Sequence, residues 1–272
     1  MLKNSLHTKW CISIAQRPSL FGMTVHNAGY RALKLDYLYK AFKVEDVKGA
    51  MGAVRALGIR GCSVSMPFKQ QVLPYLDVID PIARSIGAVN TVVNVNGRLI
   101  GYNTDVGGAQ QAIKIMKVNP RVPVLILGAG GAARAILYAL KELGFKHITI
   151  SNRHPAKVRP LLKIASFDVV DWQKLGSIRA GFIINATPVG MSPNDRQMPV
   201  SAKVIAQSIA VFDVIIDPME SLFIRQAKSL GKKNSPGYKM SLYQAIIQFK
   251  LYTGHQPPLK IMEAAVKRLL KS

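Results

Sequence analysis

The chain has 272 residues, 49% hydrophobic and 19% charged, enough apolar mass for two modest domains or one large one, and too much for a disordered chain. Its 37 basic against 14 acidic residues give a formal net charge of +23, which favours anionic partners such as nucleic acid, a membrane surface, or phosphorylated and carboxylated small molecules. The charge is spread along the chain and no basic run is interleaved with aromatic residues, so nucleic acid is not an expected partner.

Cys11 and Cys62 stand among apolar or small neighbours and read as buried free thiols of a reducing cytosol. His7, His26, His147, His154 and His255 form no metal-ligand spacing, so no metal is expected. Residues 10–15 are apolar but too short for a signal core. Residues 122–140 have the length of a membrane span but contain Pro123, three glycines and Arg134, so a buried strand, tight turn and helix explain them better. A cytoplasmic protein without a membrane partner is expected.

In chain order, residues 11–14 predict a short strand, 26–33 a helix and 37–42 a strand. Residues 45–57 predict a helix, with Val47, Ala50, Met51 and Val54 on one face and Gly58 just past its end. A strand at 62–65 runs up to Pro67. Residues 89–94 and 98–102 flank Asn96-Gly97, a strong hairpin signal. A helix over 105–116 is broken by Asn119-Pro120, a candidate domain boundary. The pattern then becomes a regular alternation: strands at 124–127, 147–151, 182–185 and 210–215, with a helix at 132–143. Such alternation implies a parallel sheet with helices on both faces. Helices over 241–252 and 259–270 close the chain and are expected to return to the first domain.

Four segments carry chemistry. Gly128-Ala129-Gly130-Gly131-Ala132-Ala133 follows a strand and opens a helix with the spacing G-x-G-x-x-A. Glycine permits the tight turn and lets backbone approach a pyrophosphate, and the helix start offers free N–H groups to it. The next strand ends at Asn152-Arg153, where an NAD site usually places an acid. Arg153, with Lys157 beyond it, suits a ribose 2′-phosphate, so NADP is the expected cofactor. Residues 61–69, ending on Lys69, and 101–108, containing Asp105, suggest a Lys–Asp pair at the mouth of a cleft. Such a pair can hold a hydroxyl and manage its proton as hydride leaves.

These segments resemble those of shikimate dehydrogenases, whose usual strings are close to G-x-N-V-T-x-P-x-K, I-G-A-x-N-T and G-x-N-T-D-x-x-G. Here they stand at 61–69, at Ile86-Gly87-Ala88-Val89-Asn90-Thr91 and at 101–108. Asn185-Ala186-Thr187-Pro188-Val189-Gly190-Met191 and residues 237–244 continue the likeness, in the family's order and over nearly the whole chain. The resemblance implies an α/β chain of two domains. Residues 1–104 with 240–272 would form a substrate domain, and 105–239 a Rossmann doubly wound parallel-sheet domain. The active site would lie between them. It implies Lys69 and Asp105 as the catalytic pair, and Asn90 and Gln244 on the substrate hydroxyls, with Ser65 replacing the usual threonine. Gly128, Gly130 and Gly131, with Ala129 and Ala132 of the same turn, would face the pyrophosphate. Asn152, Arg153 and Lys157 would face the adenosine phosphate. Thr187 and Met191 would lie along the cofactor, and Gly237 and Met240 near the nicotinamide.

Two departures bear on the substrate. The family's S-x-S-P-x-x-H-N, whose serines hold a carboxylate, lines up here with Leu20, Gly22 and Met23 ahead of His26-Asn27, leaving only Ser19 nearby. Ile216 stands where the family usually has a tyrosine. Arg17-Pro18-Ser19-Leu20-Phe21-Gly22 resembles the R-P-S-x-F-G variant of a divergent shikimate dehydrogenase-like branch. The expected activity is hydride transfer between NADP(H) and a ring hydroxyl of shikimate or a related cyclic polyhydroxy carboxylate, by a monomer or homodimer. A catalytically weak NADP(H)-binding sensor or regulatory protein is the alternative.

Overall fold

The computed structural model describes residues 5–270. The chain divides into two units, Met1–Thr104 with Gln244–Ser272, and Asp105–Tyr243.

In the first unit, strands β1 (Lys9–Ala15), β2 (Tyr37–Lys43), β3 (Gly61–Val64), β4 (Val78–Ile79), β5 (Thr91–Val95) and β6 (Arg98–Tyr102) form one sheet in the order β2-β1-β3-β5-β6-β4. β1, β2 and β3 are parallel, joined by helices α1 (Phe21–Ala32) and α2 (Val47–Ala56); a third helix, α3 (Pro81–Ile86), lies between β4 and β5. β5 runs antiparallel to β3, and β6 turns back on β5 through Asn96 and Gly97, both at positive φ (51° and 85°) as a tight hairpin turn requires. α1 begins at Phe21 and not at residue 26, because Phe21, Val25 and Ala28 continue one buried stripe. Ile12, Ile14, Met51, Val54, Cys62, Val64, Val92 and Leu99 form the core on one face of this sheet. Cys11 pairs with Gly61, and Ile12 with Cys62. Paired residues of parallel strands share a face and neighbours alternate, so the two thiols point to opposite faces. Both are buried and free.

The second unit opens with α4 (Asp105–Met116) and continues through β7 (Val124–Leu127), α5 (Gly131–Glu142), β8 (Ile148–Ser151), β9 (Asp168–Val169), β10 (Phe182–Asn185), α6 (Ala202–Ala206), β11 (Ala210–Asp213), α7 (Leu222–Ser229) and β12 (Lys233–Ser235). Its six strands are all parallel, in the order β12-β11-β10-β7-β8-β9. This is the doubly wound dinucleotide-binding arrangement, with the order reversing between β7 and β10. β7, β8, β10 and β11 are short and almost wholly buried, as strands covered on both faces must be.

The division falls ahead of α4 and not at the Asn119-Pro120 break, because α4 packs on α5 and β12 of the second unit. α8 (Gly237–Thr253) begins in the second unit and ends in the first, where α9 (Leu259–Leu269) packs on α1.

Candidate functional site

In the first unit, strand direction gathers the expected substrate residues at one sheet edge. β1 and β3 end there, and antiparallel β5 starts where β3 stops, so the loop holding Ser19, the segment from Ser65 to Lys69, and Asn90 all come to this edge. Backbone hydrogen bonds fix them: Gln16 N donates to the Met66 carbonyl (3.2 Å), Val64 N to that of Asn90 (2.8 Å), and Val89 N to that of Lys69 (2.8 Å). β6 delivers Asn103 and Thr104 to the same place, and Asp105 follows as the first residue of α4. Lys69 is half-buried and Asp105 buried, while Ser19 and Ser65 are exposed.

Asn90 is the hub of a buried polar set. Its Nδ2 donates to Thr104 Oγ1 (3.0 Å) and to Gln244 Oε1 (3.4 Å), and its Oδ1 accepts from Thr104 N (2.7 Å) and Thr91 Oγ1 (2.8 Å). Thr104 Oγ1 lies 3.2 Å from Gln244 Oε1. Four residues after Gln244, one helical turn on, Gln248 Nε2 donates to Thr91 Oγ1 (2.8 Å) and Ser63 Oγ (3.2 Å). Gln248 Oε1 faces His26 Nε2 at 3.4 Å, and the His26 ring stacks on Tyr39 with centroids 4.5 Å apart. Burial pushes the His26 pKa down to about 4, so the ring is neutral at physiological pH.

Glycine at position 22, at the start of α1, fits its packing. A Cβ at Gly22 would come within 3.0 Å of the Tyr39 ring and 3.1 Å of its hydroxyl oxygen, so a serine there would crowd Tyr39. Leu20 is 67% exposed and its side chain offers no donor.

In the second unit the glycine turn leaves β7 at the point where the strand order reverses, beside the loop that leaves β10. Gly128 has φ of +109°, and a Cβ there would meet the Ala186 carbonyl oxygen at 2.7 Å, so glycine is required twice over. At Gly130, which caps α5 from extended backbone, an added Cβ would meet nothing within 4 Å. Backbone there faces open space, as close approach of a phosphate requires. Gly131 and Ala132 form the first turn of α5, and Ala129 is buried beneath. Thr187 donates from N and Oγ1 to Asn185 Oδ1 (3.1 and 2.6 Å), which curls the β10 loop. Met191 continues that loop, its N–H bonded to the Pro188 carbonyl at 3.1 Å. Gly237 packs against the backbone of Val214 and Ile215, where a Cβ would strike the Ile215 carbonyl, and Met240 is buried one helical turn on in α8.

Asn152 and Arg153 follow β8, with Asn152 Nδ2 donating to the His154 carbonyl at 2.8 Å. The exposed Arg153 guanidinium lies 5.7 Å from the centre of the Trp172 ring, a cation–π contact that holds the charge beside the strand end. Lys157 closes a short 3-10 turn, Pro155–Lys157, and is exposed. Gln248, Trp172 and Asp213 stood outside the motif strings read from sequence, and Thr91, Thr104 and Asn185 lay within those strings without a role of their own. The available signal was a polar residue closing or entering an apolar strand, as Asn185 and Asp213 do. Among the described residues no group of three His, Cys, Asp or Glu side chains is placed to hold a metal, and no helix is long and apolar enough to cross a membrane.

Known proteins resemble the chain over most of its length. The profile of the shikimate dehydrogenase substrate binding domain matches residues 21–92, and that of the shikimate 5′-dehydrogenase C-terminal domain matches 237–267. A shikimate dehydrogenase-like protein of Haemophilus influenzae is 38% identical over 260 residues, covering 95% of both chains. A shikimate dehydrogenase (NADP(+)) of Methanothermobacter thermautotrophicus is 38% identical over 261 residues, 90% of this chain and 91% of that one. The solved structure of Thermus thermophilus shikimate 5-dehydrogenase in complex with NADP(H) and shikimate superimposes with a TM-score of 0.84 at 32% identity, covering 96% of this chain and 98% of that chain. With this likeness running nearly end to end, the chain belongs to the shikimate dehydrogenase family.

Proposed function

We propose that the protein is an NADP-dependent oxidoreductase acting on a ring hydroxyl of shikimate or a related cyclic polyhydroxy carboxylate. The observation that carries the reading is the buried Asn90–Thr104–Gln244 set at one sheet edge, flanked in the chain by Lys69 and Asp105. Amide and hydroxyl groups fixed by one another present a rigid array of donors and acceptors, which suits a polyhydroxylated ring. The backbone cradle of Gly128, Gly130 and Gly131 at the start of α5 fits the cofactor's pyrophosphate, and Arg153 with Lys157 fits its 2′-phosphate. When bound, NADP(+) supplies the hydride acceptor.

Lys69, in its neutral amine form, takes the hydroxyl proton and becomes an ammonium, and Asp105 orients the hydroxyl. Asn90, Gln244 and Ser65 hold the remaining hydroxyls, and Ser19 offers a hydroxyl to the carboxylate. Thr187, Met191, Gly237 and Met240 line the cofactor. The two buried free thiols suit a cytoplasmic enzyme. Leu20, Gly22 and Ile216 support a second reading, a cofactor-binding protein with little turnover.

One experiment separates them: NADP(+) reduction assayed against a panel of cyclic hydroxy acids, with the wild type and Lys69→Ala. Turnover that falls on the order of 10²-fold or more in Lys69→Ala is expected. No turnover on any acid, with NADP(+) still bound, supports the second reading. An unchanged kcat in Lys69→Ala removes Lys69 from the chemistry.

A further inference from the structure

Resting on the NADP reading above, we propose that Asp213 is a positioning residue for the cofactor, tying the loop after β10, which abuts the glycine turn, to the loop after β11, on which Gly237 packs, and that its carboxyl holds them while protonated.

Asp213 closes β11 and is fully buried. Its Oδ1 accepts from Asn185 Nδ2 and from Ile215 N, both at 3.1 Å, and its Oδ2 lies 2.5 Å from Ser221 Oγ, the residue that caps α7. Each partner governs a different piece of the candidate cofactor site. Asn185 shapes the loop bearing Thr187, and also donates to the Val189 carbonyl at 3.1 Å. The next residue, Ala186, presses its carbonyl against Gly128 of the glycine turn. Ile215 and Val214 form the backbone wall on which Gly237 packs. Val214 N also bonds to the Asn185 carbonyl at 3.1 Å, so the two loops are joined directly as well as through the carboxyl. One side chain thus underlies the segments carrying Gly128, Thr187 and Gly237.

The groups facing the carboxyl are Asn185, Ser221 and the amides of Val214 and Ile215, and none is charged. Burial therefore dominates over these hydrogen bonds and pushes the Asp213 pKa up to about 7. An ionised Asp213 would be a buried charge without a counter-charge. It regains solvation only if the 185–191 or 214–221 loop opens. Cofactor binding needs those loops in place, so it favours the protonated form, and affinity weakens as pH rises through neutrality.

Calorimetric titration of NADP(+) into the wild type and Asp213→Asn, from about pH 6 to about pH 8.5, tests this without any turnover. Asparagine keeps the shape and remains neutral. The ligand's own phosphate and the exposed basic groups titrate alike in both proteins and cancel in the ratio of affinities. The two should bind alike at the acid end, and the wild type should fall behind by at least about threefold at the alkaline end. A ratio that is flat, or that moves the other way, overturns the inference while leaving the cofactor reading intact. A wild type that binds NADP(+) at no pH overturns both. If Asp213→Asn does not fold, Ser221→Ala serves. It removes a donor that favours the ionised form, so the midpoint of the pH dependence should move upward, and an unmoved midpoint overturns the inference.

Discussion

A serine at position 22 would crowd a Tyr39 ring that is buried and stacked on His26, and such a ring has little freedom to give way. Gly22→Ser should therefore destabilise the protein by about 1–3 kcal/mol, as overpacking does, without improving shikimate use. Leu20→Ser, at an exposed position, should leave stability within about 0.5 kcal/mol and lower KM for shikimate by restoring a hydroxyl to the loop. Thermal denaturation with steady-state kinetics on the two single variants separates the cases. Equal gains in shikimate kcat/KM from both would show that Tyr39 yields. Arg153 makes a second prediction at this scale. Only NADP carries the 2′-phosphate, so Arg153→Ala should weaken NADP binding by about 1.5–3 kcal/mol and leave NAD binding nearly unchanged. Calorimetry with both cofactors measures it, and equal losses would place Arg153 away from that phosphate.

Helix α3 is short and depends on its ends. Asp80 caps it, Oδ1 accepting from Ile82 N (3.0 Å) and Ala83 N (3.4 Å), and Pro81 opens it, while Gly87 closes it at φ of +68°. Asp80→Ala should cost about 1 kcal/mol, read as a fall in the denaturation midpoint. An unchanged midpoint would mean that tertiary packing alone holds the helix. α3 was not legible beforehand because a single helical turn is too short to show a period, and the same holds for α6 and for the two-residue strands β4 and β9. The apolar strands β7, β10 and β11 and the hairpin at Asn96-Gly97 were legible, because burial on both faces and turn chemistry leave strong local marks. Lys69, Asp105 and the glycine turn stood out as candidates for the same reason, being local strings. Asp213, Gln248 and Tyr39 did not, because their roles come from hydrogen bonds and packing across large sequence separations, as between Gln248 and Thr91.

At the scale of the whole chain, the two units carry opposite pH responses. In the first, the folded state holds His26 neutral, with its pKa lowered from 6.5 to about 4. The unfolded chain takes up that proton first, so stability is intact above the ordinary value and is lost as pH falls toward about 4, by up to about 3 kcal/mol. In the second, Asp213 is raised from 3.8 to about 7, so its contribution is full at low pH and is lost as pH rises to about 7, by up to about 4 kcal/mol. Acidification from about pH 7 to about pH 5 should weaken the first unit and strengthen the second. Hydrogen exchange corrected for the intrinsic amide rate, followed on peptides of β1, β3 and β5 against β7, β10 and β11, checks this, and parallel changes in both would contradict it. A built-in reporter makes one half of that measurement simpler. Both cysteines belong to the first unit, on opposite faces of paired strands, so they cannot join without unzipping β1 from β3. Burial pushes the Cys11 thiol up to about 12 and raises that of Cys62 as well, so neither offers a thiolate to a reagent while the sheet is closed. The rate at which an alkylating probe adds to the native chain therefore counts the openings of one half of the molecule, while the other half, without a single sulfhydryl, stays silent.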